Sequence, residues 1–429
     1  MDEPVSVGAI FALCYNGEEG MDIMNYIFVS PNFPFGYYKW ARSLKERGVR
    51  VLGIGDTPYD NLLPECKEAL DEYYYVYNLN DFDMMVKAVS YYQDKYGDID
   101  YIESNNEWWL MLDSRLREKF HVKSGFYPKD MMKIKSKSCM KACFEKGGAK
   151  TMRYLLVNGP EDIEKAKKFA AKVSYPLFVK PDIGVGAASS FKLQDEKELL
   201  AFLSKPLEET YIMEEYIDGY IVSFDGVCDS NSDVVFCSTT HFPTPVADIV
   251  NGKKDECYYC NPFSLKMDDI DAKRFNKVGK DVVKAFGIKK RCFHIEFFVL
   301  KKDKEGFAKK GEFVALECNM RPAGGNLPDL TDFANSLSIY DIYADVICYD
   351  ENRQDMDQEK FYAFASHRRD ELDYRYLDLK VVYDYEKNLC MYGRYPKSLA
   401  DAMCDEYFYA TFRTKDEGYR FDAEVREKR

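Results

Sequence analysis

The sequence predicts a mixed α/β (α+β) protein that begins with a parallel sheet and ends with an antiparallel one. Short apolar segments alternate with helical segments in the first quarter of the chain, which is typical of a parallel sheet with helices on both faces. Pairs of strands joined by polar turns follow in the middle of the chain. From about residue 361 onward the hydrophobic pattern alternates as in an antiparallel sheet.

The first predicted unit covers residues 25–128. Its turn after the first strand, "SPNFPFG", differs from G-x-G-x-x-G, so we expect no dinucleotide site there. The predicted elements are strands at 25–30, 49–56, 71–79 and 99–106, and helices at 36–48 and 81–97.

The middle of the chain, residues 129–347, carries a second predicted unit. Its charged segments include the lysine-rich "DMMKIKSKSCMKACFEKGG", predicted as one helix that ends at two glycines. The predicted helices are 130–148, 161–174, 195–206, 269–287 and one after residue 340. Residues 175–193 are predicted to form two strands around a glycine-containing loop, and residues within 219–242 a hairpin. Single strands are predicted at 210–217, 292–300 and 311–320. The long segment 240–262 is predicted to be a loop of the size that forms lids.

Composition limits the function classes. The chain has 429 residues, too many for one ordinary core, and 46% hydrophobic with 31% charged residues, a soluble balance. A formal net charge of -13 argues against general affinity for nucleic acid. No apolar run approaches the roughly 20 residues that span a bilayer. The short apolar piece at 5–15 follows acids and is a poor secretory signal. We therefore expect a cytoplasmic protein with no nucleic-acid or membrane partner, and residues 1–24 as an N-terminal extension.

The segment "FVALECNMRPAGGN" places polar groups on an otherwise apolar strand. Glu317 and Asn319 share one face of it with Arg321, because side chains of a strand alternate. In "CFHIEFFVL", His294 and Glu296 share a face in the same way. If the two strands pair, two carboxylates come together, which is unfavourable without a cation. Hard oxygen ligands of this kind fit Mg²⁺, and Arg321 fits a phosphate. A solvated hairpin face with salt bridges is the alternative interpretation.

The segment "LFVKPDIGVGAASS" combines a strand-ending lysine, Lys180, with a loop of small residues. Such residues let backbone N–H groups approach a phosphate closely. The pattern is not that of a P-loop. An ordinary hairpin is the alternative here.

The ordered set of lysine helix, lysine strand with glycine loop, "EEYI", glutamate strand and Glu-x-Asn-x-Arg resembles the ATP-grasp superfamily, in particular its carboxylate–amine ligase and biotin-carboxylase-like members. The resemblance covers roughly residues 25 to 347. It implies an N-terminal pre-ATP-grasp domain at 25–128, an ATP-grasp domain at 129–347 with a lid at about 151–213, and an associated C-terminal sheet at 348–429.

The resemblance also implies roles for individual residues. Lys137, with Lys135 as the alternative, and Lys180 would bind phosphates, and Arg321 with Lys180 would act in catalysis. The ATP site would further include Gly184, Gly186, Ala187, Ser189, Glu214, Glu215 and Ile217, with the 214–217 segment at the adenine. Glu296, Glu317 and Asn319 would bind Mg²⁺ or, alternatively, Mn²⁺. His294 is a candidate near a substrate carboxylate, and Gly324 and Gly325 are candidates near an acyl phosphate.

One position departs from the family pattern G-x-E-x-S-x-D that follows the adenine segment. In "GYIVSFD" the glutamate that often meets the ribose is replaced by Ile221, whereas Ser223 and Asp225 fit. The ribose contact is therefore either lost or supplied by another residue.

The resemblance implies an ADP-forming ligase that activates a carboxylate as an acyl phosphate and joins it to an amine, such as an amino acid or peptide-like substrate. It also implies small-molecule partners besides ATP, and a homodimer as one possible assembly. Two alternatives remain open from the sequence: a bicarbonate-activating, biotin-carboxylase-like subunit, and an ATP-binding sensor without catalysis.

Overall fold

The computed structural model describes residues 23–184, 189–244, 254–267, 270–397, 400 and 403–429. The predicted mixed α/β class is confirmed, with three sheets in this part of the chain. None of the helices described there is both long and apolar enough to cross a membrane.

The N-terminal sheet is parallel and has the strand order β3-β2-β1-β4. The order reverses between β1 and β4, so the loops after these two strands flank the crevice where parallel sheets usually bind ligands. Its elements are β1 (Asn25–Val29), α1 (Tyr38–Glu46), β2 (Arg50–Gly55), α2 (Pro64–Ala69), β3 (Glu72–Tyr75), α3 (Phe82–Tyr96), β4 (Tyr101–Glu103) and α4 (Leu110–Lys119). All four strands were predicted, but α2 and α4 were missed.

The lysine-rich segment is two helices, α5 (Met131–Lys135) and α6 (Lys137–Lys146), rather than the single predicted one. Ser136 breaks the helix because its backbone is extended and its Oγ accepts a hydrogen bond from the Cys139 N–H. A serine in this geometry caps a new helix. The break turns α6 so that Lys137 stands at its first position.

A four-stranded antiparallel sheet with the order β5-β8-β6-β7 follows. Its elements are β5 (Tyr154–Val157), α7 (Ile163–Val173), β6 (Leu177–Pro181), β7 (Phe191–Leu193), α8 (Glu196–Phe202) and β8 (Tyr211–Glu215). The helices cover one face, where Val157, Leu177 and Met213 belong to a buried cluster. The opposite face carries Lys180 and Glu214. We call this sheet with its two helices the lid.

The largest sheet has eight antiparallel strands in the order β13-β12-β9-β10-β11-β14-β16-β15. Its strands are β9 (Gly219–Cys228), β10 (Val234–Phe242), β11 (Cys257–Asn261), β12 (Arg291–Leu300), β13 (Phe313–Asn319), β14 (Tyr362–Arg368), β15 (Leu389–Arg394) and β16 (Glu406–Phe412). Its helices are α9 (Ala272–Phe286), α10 (Leu327–Asn335), α11 (Ile339–Tyr349), α12 (Asp378–Asp384) and α13 (Lys415–Val425).

Four features of this region differ from the prediction. The C-terminal strands extend the same sheet that holds β12 and β13, and the tail contains two helices as well. Helix α10 was missed. The segment predicted as one long loop contains strand β11, which is buried between β10 and β14; residues 245–253 of it lie outside the described part of the chain.

Candidate active site

Two carboxylates stand opposite each other on neighbouring strands of the large sheet. Glu296 of β12 is in register with Glu317 of β13, and His294 is in register with Asn319 two residues away. All four side chains therefore lie on one face of the sheet. The structure brings together the acid, amide and imidazole groups that the sequence placed on two separate strands.

The pKa values of the two carboxyl groups are shifted in opposite directions. Burial raises the pKa of Glu317; Lys137 and Lys180 oppose that shift, whereas the charge of Glu296 adds to it, leaving the pKa above its usual value. Burial also acts to raise the pKa of Glu296, but the hydrogen bond and charge of His294 outweigh it and lower the pKa. The two carboxylates therefore repel each other when both are charged.

His294 links one of these carboxylates to a buried aspartate. Its Nδ1 lies 2.6 Å from Asp225 Oδ1, and its Nε2 lies 3.4 Å from Glu296 Oε1. Burial would lower the pKa of His294, but the charge of Asp225 raises it to about 9. Asp225 is itself held by the Ser223 hydroxyl, which donates to Oδ2. Two neighbouring strands, β9 and β12, thus fix the imidazolium between two carboxylates.

Lys180 at the end of β6 is buried and paired with Glu214 of the adjacent strand β8. Its Nζ lies 3.0 Å from Glu214 Oε2, and Lys141 Nζ lies 2.6 Å from Glu214 Oε1. Burial disfavours the charge on Glu214, but Lys180 and Lys141 lower the pKa of this carboxyl group below its usual value. The Glu214 carboxylate therefore holds two lysines.

Lys137, at the first position of α6, lies close to one member of the acidic pair. Its Nζ lies 3.7 Å from Glu317 Oε1 and donates to the Gly184 carbonyl at 3.2 Å. Asp182 holds this helix end: its carboxylate accepts from the Ser138 N–H and its carbonyl accepts from the Lys137 N–H. The geometry thus connects the lysine helix with the strand that carries Lys180.

The glycine loop is described only at its two ends. Gly184 lies beside Lys137, and Ser189, with a φ of 60°, is exposed. The predicted phosphate-binding residues Gly186 and Ala187 lie outside the described residues.

Arg321 and Lys135 meet at a carboxylate that the sequence analysis did not single out. Glu107, in the loop after β4, lies 2.9 Å from Lys135 Nζ through Oε1 and 3.6 Å from Arg321 Nε through Oε2. Lys135 is therefore engaged by Glu107, and the geometry favours Lys137 over Lys135 as the lysine that faces the acidic pair. Glu107 also brings the edge of the N-terminal sheet to the site.

The 215–217 segment joins the lid to the large sheet. The Glu215 carboxylate is buried and accepts from the Arg153 guanidinium at 2.6 Å and 3.1 Å, while its N–H donates to the Arg153 carbonyl. The Glu215 side chain and N–H are thus used within the protein, and the Tyr216 carbonyl accepts from Lys304 Nζ at 3.1 Å. Phe298, two residues after Glu296, pairs across strands with Ile221. An apolar pair therefore occupies the position where the family pattern has a glutamate.

The two glycines after Arg321 differ in their surroundings. A Cβ on Gly324 would meet no atom within 4 Å, whereas one on Gly325 would overlap Met403 Cε. Gly325 also has a φ of +58°, which favours glycine. The chain therefore turns tightly at Gly325, directly below a side chain from the C-terminal tail.

The donor set fits a Mg²⁺ ion shared with phosphate oxygens. Two facing carboxylates of like charge, with an amide two residues from one of them, are hard oxygen donors that a cation would stabilise. Within the described residues, no group of three or more His, Cys, Asp and Glu side chains forms a ready metal centre. The set therefore fits a cation that takes its remaining ligands from a substrate.

Three residues of this site were missed as functional groups: Glu107, Lys141 and Asp182. A signal was present for two of them. Lys141 follows Lys137 by four residues, one helical turn on the same face, and Asp182 follows Lys180 by two. Glu107 is brought to the site only by the packing of the N-terminal sheet on the large one.

Comparison with known proteins shows what this chain is similar to. Residues 173–327 match a family model described as an ATP-grasp domain. A curated relative, the L-arginine-specific L-amino acid ligase of Bacillus subtilis, is 24% identical over 291 residues. That alignment covers 65% of this chain and 65% of the relative, slightly less than two thirds of its length.

Solved structures share the fold over nearly the whole chain. The L-amino acid ligase from Bacillus licheniformis superposes with a TM-score of 0.70 at 15% identity, covering 95% of this chain and 98% of the other. The N5-carboxyaminoimidazole synthetase from Staphylococcus aureus complexed with ADP has a TM-score of 0.68 at 15% identity, covering 93% and 96%. At these identities the likeness concerns the fold.

Proposed function

Because this chain has the ATP-grasp fold and an ATP-grasp domain at residues 173–327, we propose that it is an ADP-forming ligase that joins a carboxylate to an amine. The convergence of Lys137, Lys180 and Arg321 on the Glu296–Glu317 pair is the observation that carries the proposal. Phosphoryl transfer needs charge neutralisation and in-line positioning more than a protein nucleophile, and these groups supply charge without a nucleophile.

ATP would bind between the lid and the large sheet. Lys137 and Lys180 both interact with the charge of Glu317 and would bind phosphate oxygens. Backbone groups of 215–217 would contact the adenine edge, and Phe298 would form part of the apolar floor under the base. Ile221, paired with Phe298, extends this floor and makes no polar ribose contact.

Glu296, Glu317 and Asn319 would hold Mg²⁺, which supplies charge neutralisation to the phosphates when bound. His294 hydrogen-bonds to Glu296 and holds its orientation, as outer hydrogen bonds do for metal ligands. Glu214 keeps Lys180 extended toward the phosphates.

The carboxylate substrate would attack the γ-phosphate, forming an acyl phosphate and ADP. Arg321 would neutralise the transferred phosphoryl group. The amine would then attack the acyl carbon and release phosphate. The turn at Gly324 and Gly325 would bring backbone close to the acyl phosphate. An amino acid is the substrate class that we propose for the amine, in keeping with the L-amino acid ligases among the similar proteins.

The test is ADP release from ATP and Mg²⁺ with a pool of the twenty L-amino acids, with and without bicarbonate, followed by mass spectrometry of the products. We expect ADP and a dipeptide mass that does not require bicarbonate. The Lys180→Met variant should lose both, whereas Lys172→Met, at an exposed lysine of the lid helix α7, should retain them.

Two outcomes would contradict the proposal. ADP release only with bicarbonate would favour a bicarbonate-activating enzyme. ATP binding without ADP release under any condition would favour a sensor.

A further inference from the structure

The carboxyl end of strand β4 contacts the segment that carries Arg321. Glu107 stands in the loop after β4, on the side of the sheet where the strand order reverses between β1 and β4. Its carboxylate lies between Lys135 and Arg321, with one oxygen toward each. The residue is 9% exposed, so this charge cluster is largely removed from water.

A second carboxylate from the same end of β4 fixes the backbone at Met320, the residue before Arg321. Glu103, the last residue of β4, pairs with Arg117 at 2.8 Å and with Arg291 of β12. Arg291 in turn donates from Nη1 to the Met320 carbonyl at 2.9 Å. Glu103 thus holds the backbone at residue 320 through Arg291, and Glu107 holds the side chain of residue 321.

This double contact restricts Arg321. An arginine side chain has several rotatable bonds, and fixing them lowers the entropy loss when it binds an anion. The distance of 3.6 Å from Arg321 Nε to Glu107 Oε2 is that of an ion pair. Lys135 compensates part of the negative charge of Glu107, so that Arg321 keeps its attraction for a phosphate.

We propose that Glu107 is a positioning residue for Arg321, through which the N-terminal sheet takes part in phosphoryl transfer. The catalytic consequence rests on the proposed function, because it assigns the phosphoryl group to Arg321. The restriction of the guanidinium itself can be measured without any activity.

The test compares Glu107→Gln with Glu107→Asp and with the control Glu72→Gln. Glu72 is a lysine-paired carboxylate of the same sheet, on β3 at the opposite edge. We expect Glu107→Gln to lower kcat about 10- to 100-fold, as misplacement of a catalytic group does, with an unchanged KM for ATP. Glu107→Asp should recover part of the rate, because it restores the charge.

The second readout is the arginine ¹⁵Nε–¹Hε resonance of Arg321 in the apo-protein, identified by its loss in Arg321→Lys. It should shift or broaden in Glu107→Gln and stay in place in Glu72→Gln. In Arg321→Lys, adding Glu107→Gln should lower kcat much less than it does in the wild type, because residues that act as a unit are not additive.

An unchanged Arg321 resonance in Glu107→Gln would overturn the inference, and so would a kcat within twofold of the wild type or full additivity with Arg321→Lys. If the wild-type protein releases no ADP with any substrate, the proposed function fails separately. The resonance then decides the positioning role alone.

Discussion

Lys180 and Glu214 form a buried ion pair across two neighbouring strands of the lid, with 3.0 Å between Nζ and Oε2. The same carboxylate holds Lys141 from helix α6. A single acid thus connects both elements that carry the proposed phosphate-binding lysines.

The Glu214→Gln variant should weaken ATP binding, because the amide cannot hold two ammonium groups in place. A charge-assisted hydrogen bond contributes about 1.5–3 kcal/mol, so we expect an increase of about 10- to 100-fold in the Kd for ATP. Fluorescence titration with a labelled ATP analogue measures it. Glu196→Gln, at a lid carboxylate with an exposed lysine partner, is the control. An unchanged Kd in Glu214→Gln would remove the positioning role of this acid.

The Glu317→Gln variant should lose activity and gain stability without Mg²⁺. The pKa of Glu317 is raised in the folded protein, so its contribution to stability is present at low pH and is lost as the pH rises through the folded pKa. At pH 8 the amide removes this unfavourable charge, and the melting temperature should equal or exceed that of the wild type.

Mg²⁺ with ADP should then stabilise the wild type more than Glu317→Gln, since ligand binding to the folded state raises stability. Turnover of the variant should fall by about two to three decades. Thermal melts with and without Mg²⁺–ADP and ADP-release assays measure both effects. Equal stabilisation of the two proteins by Mg²⁺–ADP would exclude Glu317 from the metal site.

The His241→Phe variant should be more stable than the wild type, most clearly at acidic pH. His241 stacks on Tyr259 with 4.7 Å between ring centroids, and neither ring nitrogen has a hydrogen-bond partner among the described residues. Burial lowers the pKa of His241 from 6.5 to about 3. Below pH 6.5 the unfolded chain therefore binds a proton that the folded chain does not.

This difference makes stability fall as the pH drops from 6.5 toward 3, by about 1.4 kcal/mol per pH unit for one proton. Removing the histidine should reduce the slope of unfolding free energy against pH by that amount over this range. Urea unfolding at pH 4.5, 5.5 and 7.5 measures it. A slope identical to that of the wild type would show that His241 is protonated in the folded state.

Two neighbouring glycines provide a matched pair for the turn after the proposed catalytic arginine. Gly325→Ala places a methyl group against Met403 at a positive φ, whereas Gly324→Ala meets open space. Left-handed backbone disfavours alanine by about 1–2 kcal/mol. We expect Gly325→Ala to lower kcat about tenfold or more, because a shifted turn displaces its backbone, and Gly324→Ala to stay within threefold. Steady-state kinetics compares them, and equal effects would contradict a special role for Gly325.

Sequence patterns alone predicted most of the strands and most of the charged groups of the site. Alternation of side chains on two strands is a local property, so it placed Glu296 with His294 and Glu317 with Asn319. Helix ends were less predictable. Ser136 interrupts the lysine helix because its hydroxyl accepts a hydrogen bond from a backbone N–H group. The apolar pattern of the flanking residues gives no indication of this break.

The partner of each charge depends on how distant segments pack together. Glu214 is the partner of two lysines because β6, β8 and α6 meet at one point. Glu107 lies more than 200 positions from Arg321 in the chain, and no local pattern connects them. Their contact follows from the packing of the parallel sheet on the large antiparallel sheet. Local periodicity predicts which face a side chain occupies, whereas the folding of distant segments decides which charge it meets there.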